Sequence, residues 1–309
     1  MQAGKIRIGT RGSPLALAQA NEVRQRLKMA HDLGDSALEI RVIKTSGDRI
    51  QDRPLSEVGG KGLFTKELEE ALLANEIDLA VHSTKDMQTV LPPGLSIGAV
   101  LPREDVRDAF ISIKYPTLAG LPNGAKVGTS SLRRQAQVKR LRPDLRTIEF
   151  RGNVETRLKK LEDGVADATF LASAGLKRLG KSDRITALMP IEDMLPAVGQ
   201  GAVAIEIRGD DTVTAMRLAP LNDEATALCV AAERAFLAQL DGSCRTPIAG
   251  LADLRSGLLH FRGMILSPDG ARCLEVSRVG APSSALKIGE DAGGDLLARA
   301  GPGFFGSAA

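Results

Sequence analysis

A cysteine in a turn, an aspartate after an apolar strand and arginines at helix starts are placed in this sequence where folding alone does not require them. Cys244 sits in LDGSCRTPIAG, Leu240 to Gly250, flanked by Gly242, Ser243, Arg245 and Pro247. Free cysteines are usually buried among apolar neighbours as small hydrophobes. Turn residues beside a guanidinium describe an accessible thiol whose thiolate form is favoured. The residues alone take Cys244 no further than accessible and reactive.

Asp86 lies in VHSTKDMQ, just past the apolar strand carrying Leu79 and Val81. A carboxylate beside Lys85 in a cation-rich cleft could stabilise a cationic intermediate or shuttle a proton. The alternative is an Asx-turn, a common loop role for aspartate. His82, at the strand end, is expected to be packed or hydrogen-bonded and receives no catalytic role.

Arg133 and Arg134 follow the turn Thr129-Ser130-Ser131, in the first turn of a predicted helix. Cations there oppose the helix macrodipole, so helix stability does not explain them. Gripping an anion that also takes backbone N–H groups does. Arg151 and Arg157 flank the next such turn and Arg11 sits in the first; the planar guanidinium fork suits carboxylates or phosphates. Any one of these could be a solvated surface residue, but five at strand-to-helix junctions favour a polyanion site. No GxxxxGK-S/T loop occurs, which disfavours a nucleoside triphosphate.

The elements that must position these groups repeat. KIRIGT alternates like a strand and runs into RGSPLALAQANEVRQRL, with Ser13 as N-cap and Pro14 at the first helical position. KVGTSSLRRQAQVKRL has the same grammar. Further along each half, a charged amphipathic helix runs into an apolar strand: TKELEEALLANEIDLAVHS ends at Ser83 and ETRLKKLEDGVADATFLAS at Ser173, with Asp78 and Asp167 opening the strands. This reads as an internal duplication of an α/β unit, giving two lobes on mainly parallel sheets. Ligands of such sheets bind beyond the strands' carboxyl ends.

From about Asp223 the pattern changes. An Ala-rich helix leads to the DGSC turn, and LLHFRGMILSPDGARCLEVSRV reads as a small antiparallel sheet, so a third, α+β domain is expected. Gly59-Gly60-Lys61-Gly62 before a helix starting near Leu63 suits a mobile flap. Leu195 to Ala202, LPAVGQGA, reads as a crossing strand with hinge character or, nearly as well, as a plain loop.

At 309 residues, with 43% hydrophobic and 26% charged residues, the chain can fill two or three cores. It has no run near the roughly 18 apolar residues of a membrane span and no signal-peptide pattern, so a cytoplasmic home is expected. Cys229, Cys244 and Cys273 form no CxxC pair, and His31, His82 and His260 fall at no ligand spacing beside them, so neither a disulfide framework nor a metal site is expected. A charge of +3, no tryptophan and 3% aromatic residues argue against nucleic-acid binding.

Together these segments resemble the porphobilinogen deaminase (hydroxymethylbilane synthase) family. The matching stretches are TRGSPLALAQ, VGGKGLF, AVHSTKD, PREDVRDAF, VGTSSLRRQAQ, RGNVETRL, ASAGLKRLG, LPAVGQGAVAIE, AERAFL and DGSCRTPIAG, in the family's order from Ile8 to Gly250. The resemblance implies two lobes similar to periplasmic binding proteins, the first (1–101 with 202–219) bearing the catalytic aspartate and flap, the second (106–196) an arginine-rich anion site, and a third domain (223–309) presenting the cysteine into the cleft. It implies a transferase of tetrapyrrole, including haem, biosynthesis that releases ammonia as it joins four porphobilinogen units head to tail into linear hydroxymethylbilane. The primer is a covalent dipyrromethane cofactor on a thioether to Cys244.

By the same resemblance Asp86 would protonate the leaving amine and stabilise positive charge on the pyrrole nitrogen, yielding an azafulvene that the free α-carbon of the chain attacks. Ser83, Lys85, Thr129, Ser131, Arg133, Arg134, Arg151 and Arg157 would hold cofactor and chain carboxylates. Arg11, Ser13, Gln19, Arg178 and Gln200 would line the substrate position, and Lys61 and Phe64 would belong to the flap. A monomer passing its product to uroporphyrinogen-III synthase is implied. Three departures stand out: Glu57 where some members have a basic residue, Ser243 for a glycine, and Met87-Gln88 for a more apolar, proline-bearing pair. A two-lobed binding protein for a polyanion is the rival, and it would need neither Cys244 in its turn nor Asp86 among cations.

Overall fold

The computed structural model describes residues 5–49, 62–240, 246–301 and 303–304. The chain order is β1 (Ile6–Thr10), α1 (Pro14–His31), β2 (Leu38–Val42), α2 (Ser46–Arg49), α3 (Lys66–Leu73), β3 (Leu79–Ser83), β4 (Leu95–Val100), β5 (Asp108–Ile111), β6 (Lys126–Gly128), α4 (Leu132–Leu141) and β7 (Arg146–Ile148). It continues with α5 (Val154–Glu162), β8 (Ala168–Ala172), α6 (Ser173–Arg178), β9 (Ala187–Leu188), β10 (Val203–Arg208), α7 (Thr212–Leu218), α8 (Glu224–Gln239), β11 (Ile248–Arg255), β12 (Leu258–Leu266), β13 (Cys273–Gly280) and α9 (Ala285–Ala300).

Two compact units result. One holds the described residues of Met1–Gln51, Gly60–Glu104 and Ala202–Ala227, the other those of Asp52–Gly59, Asp105–Gly201 and Leu228–Ala309. The first is built on a sheet of order β2-β1-β3-β10-β4, and the second contains one of order β7-β6-β8-β5-β9. In each, three parallel strands are followed by two joined antiparallel, so the sheets are mixed with a parallel core. The antiparallel strand β10 follows all the strands of the second sheet in the chain and pairs with β3 and β4 of the first.

The duplication extends to single bonds. Asp78 Oδ2 accepts from Arg7 N at 2.7 Å while Asp78 N donates to Arg7 O at 2.9 Å. Asp167 does the same with Lys126, at 2.8 Å both ways. An aspartate ahead of the third strand thus satisfies the strand-start amide of the first in both sheets. Gly9 and Gly128 match as well: an added Cβ would lie 2.3 Å from Ile77 Cδ1 and 2.5 Å from the Phe150 ring. At Gly128 the ring leaves no room for a side chain, whereas at Gly9 the flexible end of Ile77 would have to shift.

Helix starts follow their caps. Ser13 Oγ accepts from Ala16 N at 3.2 Å ahead of Pro14, and Ser131 Oγ accepts from Arg134 N at 3.4 Å ahead of α4. One apolar layer, Ile8, Ala20, Val23, Leu27, Leu79, Ile205 and Leu218, holds α1 and α7 to the first sheet. Each fully buried leucine or isoleucine in it contributes about 1.5–3 kcal/mol.

The C-terminal part is the expected antiparallel sheet, β11-β12-β13, backed by α8 and α9 around Phe236 and Phe261. A second apolar cluster, Ala136 and Leu195 with Ala249, Leu251, Met264 and Leu266, joins it to the second lobe within one unit. One detail differs from the sequence expectations. The helix after the glycine cluster begins at Lys66, because Gly62 has φ +80° and Gly62–Thr65 forms a turn first. Residues 195–202 follow the plain-loop alternative, irregular chain with a turn over 198–201, and the strand starts only at Val203: Pro196 has no N–H to give a ladder, and Gly199 and Gly201 have φ of +72° and +87°.

Candidate functional site

In the first unit the strand ends and helix starts converge. Parallel pairing of β1 with β3, Ile8 opposite Leu79, sets their carboxyl ends side by side. Arg11 follows β1, Ser13 caps α1, Gln19 lies within that helix, Ser83 ends β3, and Asp86 ends the 3-10 turn Thr84–Asp86. With Phe64 these residues line one recess of about 50 Å³. Gln19 Nε2 donates to Ser83 Oγ at 2.8 Å. Lys85 is half-buried in the same 3-10 turn.

Arg11 is held on three sides. Its Nη2 and Nε donate to the two oxygens of Asp48 at 2.5 and 3.1 Å, its guanidinium centre lies 4.2 Å over the Phe64 ring, and Nη1 is 3.8 Å from Asp86 Oδ2. Burial of Asp48 works against its charge, but Arg11 and the Thr45 hydroxyl, 2.8 Å away, outweigh it and hold the carboxyl below its ordinary range. Asp86 is 34% exposed, open to a substrate on one side and faced by Arg11 on the other. A carboxylate so placed can hold or deliver a proton at a bound amine.

His82 also lines this recess and is buried, as expected of a strand-end histidine, with Nε2 3.0 Å from Glu206 Oε2 on the neighbouring β10. Glu206 is fully buried.

The second unit collects the arginines differently. Arg133 and Arg134 are each only 5% exposed. Both turn onto Asp108, which opens β5 and is fully buried: Arg133 Nη2 lies 2.8 Å from Oδ2, and Arg134 Nε and Nη2 lie 3.1 and 2.6 Å from Oδ1. Their remaining donors go to backbone, Arg133 Nη1 to Leu195 O at 2.7 Å and Arg134 Nη1 to Phe170 O at 2.9 Å. Gln200 Nε2 adds bonds to Asp108 Oδ1 at 3.0 Å and Val106 O at 2.7 Å. Burial alone would push Asp108 up; the two guanidiniums reverse this and hold it far below the usual carboxylate range.

Around this core Thr129 is buried and its hydroxyl accepts from Ser131 N at 3.2 Å. Arg151, just before the Asn153 cap of α5, and Arg157, within α5, are half-buried. Arg178 Nη2 donates to Gly201 O at 3.2 Å. Cys244 and Lys61, with Glu57 and Ser243, lie outside the described residues.

Asp48, Asp108 and Glu206 were not singled out from the sequence. A signal existed for two of them: one acid inside an otherwise apolar strand, as in DAFI and VAIEIR, must be buried with a partner or not formed at all. Asp48 gave none, since it sits in a short polar segment.

The chain matches the family model described as porphobilinogen deaminase, dipyromethane cofactor binding domain, over residues 6–216, and the one described as porphobilinogen deaminase, C-terminal domain, over residues 227–298. It is 59% identical over 300 residues to a porphobilinogen deaminase of Paracoccus denitrificans, covering 97% of this chain and 96% of that one. It is 55% identical over 308 residues to a chloroplastic porphobilinogen deaminase of Pisum sativum, covering 98% and 84%. Among solved structures it is similar to an ABC transporter periplasmic substrate-binding protein of Coxiella burnetii, at 14% identity and a TM-score of 0.42, covering 74% and 96%.

Proposed function

The chain belongs to the porphobilinogen deaminase family, and from that premise we propose which of its residues perform the reaction. It is a transferase of tetrapyrrole biosynthesis that deaminates porphobilinogen and joins four units into linear hydroxymethylbilane. Its cofactor is dipyrromethane. Bound through Cys244, that group supplies a primer whose free α-carbon accepts the incoming units.

Asp86 is the acid at the departing amine. One observation carries this: Asp86, Arg11, Ser13, Gln19, Ser83 and Phe64 meet in one recess, and Asp86 is the carboxylate of that set. Arg11, braced by Asp48 and Phe64, takes a substrate carboxylate without first having to be ordered, which lowers the entropic cost of binding. Ser13 and Gln19 orient the substrate, and by the family resemblance Arg178 and Gln200 are substrate-binding residues as well. Phe64 and Lys61 belong to the flap.

The second unit's donors fit a carboxylate-bearing cofactor. Two buried guanidiniums share one carboxylate, leaving a surplus positive charge, and Arg133 Nε is buried with no hydrogen-bond partner among the described residues. An anionic side chain is what such a site lacks. Arg133, Arg134, Arg151 and Arg157, with Thr129, Ser131, Ser83 and Lys85, hold the cofactor's and the growing chain's acetates and propionates. The functional domains run 1–101 with 202–219, 106–196 and 223–309. The enzyme works as a cytoplasmic monomer that yields its product to uroporphyrinogen-III synthase, as the family resemblance suggests.

The intact mass of denatured protein, beside a Cys244→Ala control, tests the account first. A covalent excess of two condensed porphobilinogen units, absent from the control, is expected. A wild-type mass that stays unmodified even after incubation with porphobilinogen would refute the attachment.

A further inference from the structure

The turn that carries Asp86 is fastened at both ends to buried carboxylates. On its N-terminal side the His82 ring meets Glu206 on β10, with the two side chains 3% and 0% exposed. On its C-terminal side Gln88 Nε2 donates to both oxygens of Glu69 on α3, at 3.2 and 3.1 Å. Glu69 is itself only 4% exposed. Between these anchors the backbone closes on itself and on the sheet: Met87 N donates to Thr84 O at 3.2 Å and Thr84 N to Ala202 O at 3.1 Å.

The two anchors belong to one cluster. Burial pushes the Glu69 carboxyl up from its ordinary range and the charge of Glu206 adds to this, while the Thr65 hydroxyl, the Gln88 amide and His82 oppose it. Gln88 brings the cluster a neutral donor. It also abuts the segment leading into α3: a Cβ on Gly62 would lie 2.6 Å from Gln88 Nε2. Glu69, Gln88 and Gly62 therefore constrain one another.

We propose that Gln88 and Glu69, with the His82–Glu206 pair, are positioning residues for Asp86, clamping both ends of its turn to α3 and β10. This rests on Asp86 being the catalytic carboxylate. A buried clamp suits that task, because a carboxylate that must meet each incoming amine in turn gains most from a fixed backbone.

The test compares wild type, Gln88→Leu and the role-swapped double variant Glu69→Gln/Gln88→Glu, each confirmed by mass to carry its cofactor. Gln88 is half-exposed, so leucine there leaves the core intact. Amide hydrogen exchange across residues 84–89 should quicken in Gln88→Leu. Because misplacement by about 1 Å can cost up to 100-fold, kcat should fall about 10-fold with KM within about twofold. The double variant exchanges donor and acceptor and should recover both. Unchanged exchange in Gln88→Leu, or faster exchange with unchanged kcat, would overturn the proposal. An Asp86→Asn control separates the two levels: undiminished turnover there would sink the catalytic role of Asp86 itself and with it the purpose of the clamp, whatever exchange reports.

Discussion

Asp108, fully buried, neutralises one of the two guanidiniums folded against it. Asp108→Asn keeps the shape but removes the charge, stranding Arg133 and Arg134 in the interior. Breaking a buried pair in this way costs about 3–5 kcal/mol. Denaturant unfolding should register that loss, and intact mass should show impaired cofactor loading; stability within 1 kcal/mol of wild type, roughly the median effect of a point mutation, would mean that water reaches the site. The placement of the two arginines was legible, since cations in a first helical turn need an anion. That one anion is supplied from inside the protein was not: an acid in the apolar strand DAFI signals burial with a partner, but not which residues, distant in sequence, that partner is. Gln88 was visible only as an oddity, its partner Glu69 being one of several acids on α3.

At the scale of elements, α9 crosses α8 where neither helix has room for a side chain. A Cβ on Gly289 would lie 2.0 Å from Ala232 O and 2.9 Å from Phe236 N, and one on Gly293 2.5 Å from Gln239 Cβ. Gly289→Ala, normally favourable in a helix, should here destabilise by about 1–3 kcal/mol through overpacking against backbone. A thermal shift measures it; a raised midpoint would show that the helices can separate at little cost. Elements with strong local signals were readable, such as α1 from Ser13-Pro14 and β12 and β13 from short apolar runs split by turn residues. Residues 195–202 were not, because an apolar run with glycines looks the same whether extended or turned until the φ angles are known.

For the whole molecule, acid is the predictable weakness. Pairing with Arg107 holds Asp105 down to about 2, and Asp48, Asp78 and Asp108 are also depressed, each despite burial, by arginine partners. Unfolded aspartates titrate near 3.9, so the unfolded chain binds more protons below that pH and these groups' stabilisation is lost as pH falls through the folded values. The melting temperature should be level from about pH 5 to 8 and fall steeply from about pH 4 toward 2. A level profile down to pH 3 would contradict the ion-pair assignments. The doubled architecture itself was legible from two βα repeats, whereas the strand that crosses back had to be recognised by resemblance, since a strand's sequence does not say which sheet it joins.

That returning strand sets a timetable for synthesis. β10 lies between β3 and β4, so the sheet containing residue 6 lacks its antiparallel centre until the ribosome has made Arg208. Every strand of the second sheet falls within 108–188, so that sheet is complete in the nascent chain first. The N-terminal lobe, first to emerge, is the last of the two to close, and until then β3, the strand leading into Asp86, presents an unpaired edge that a chaperone or a neighbouring nascent chain can occupy.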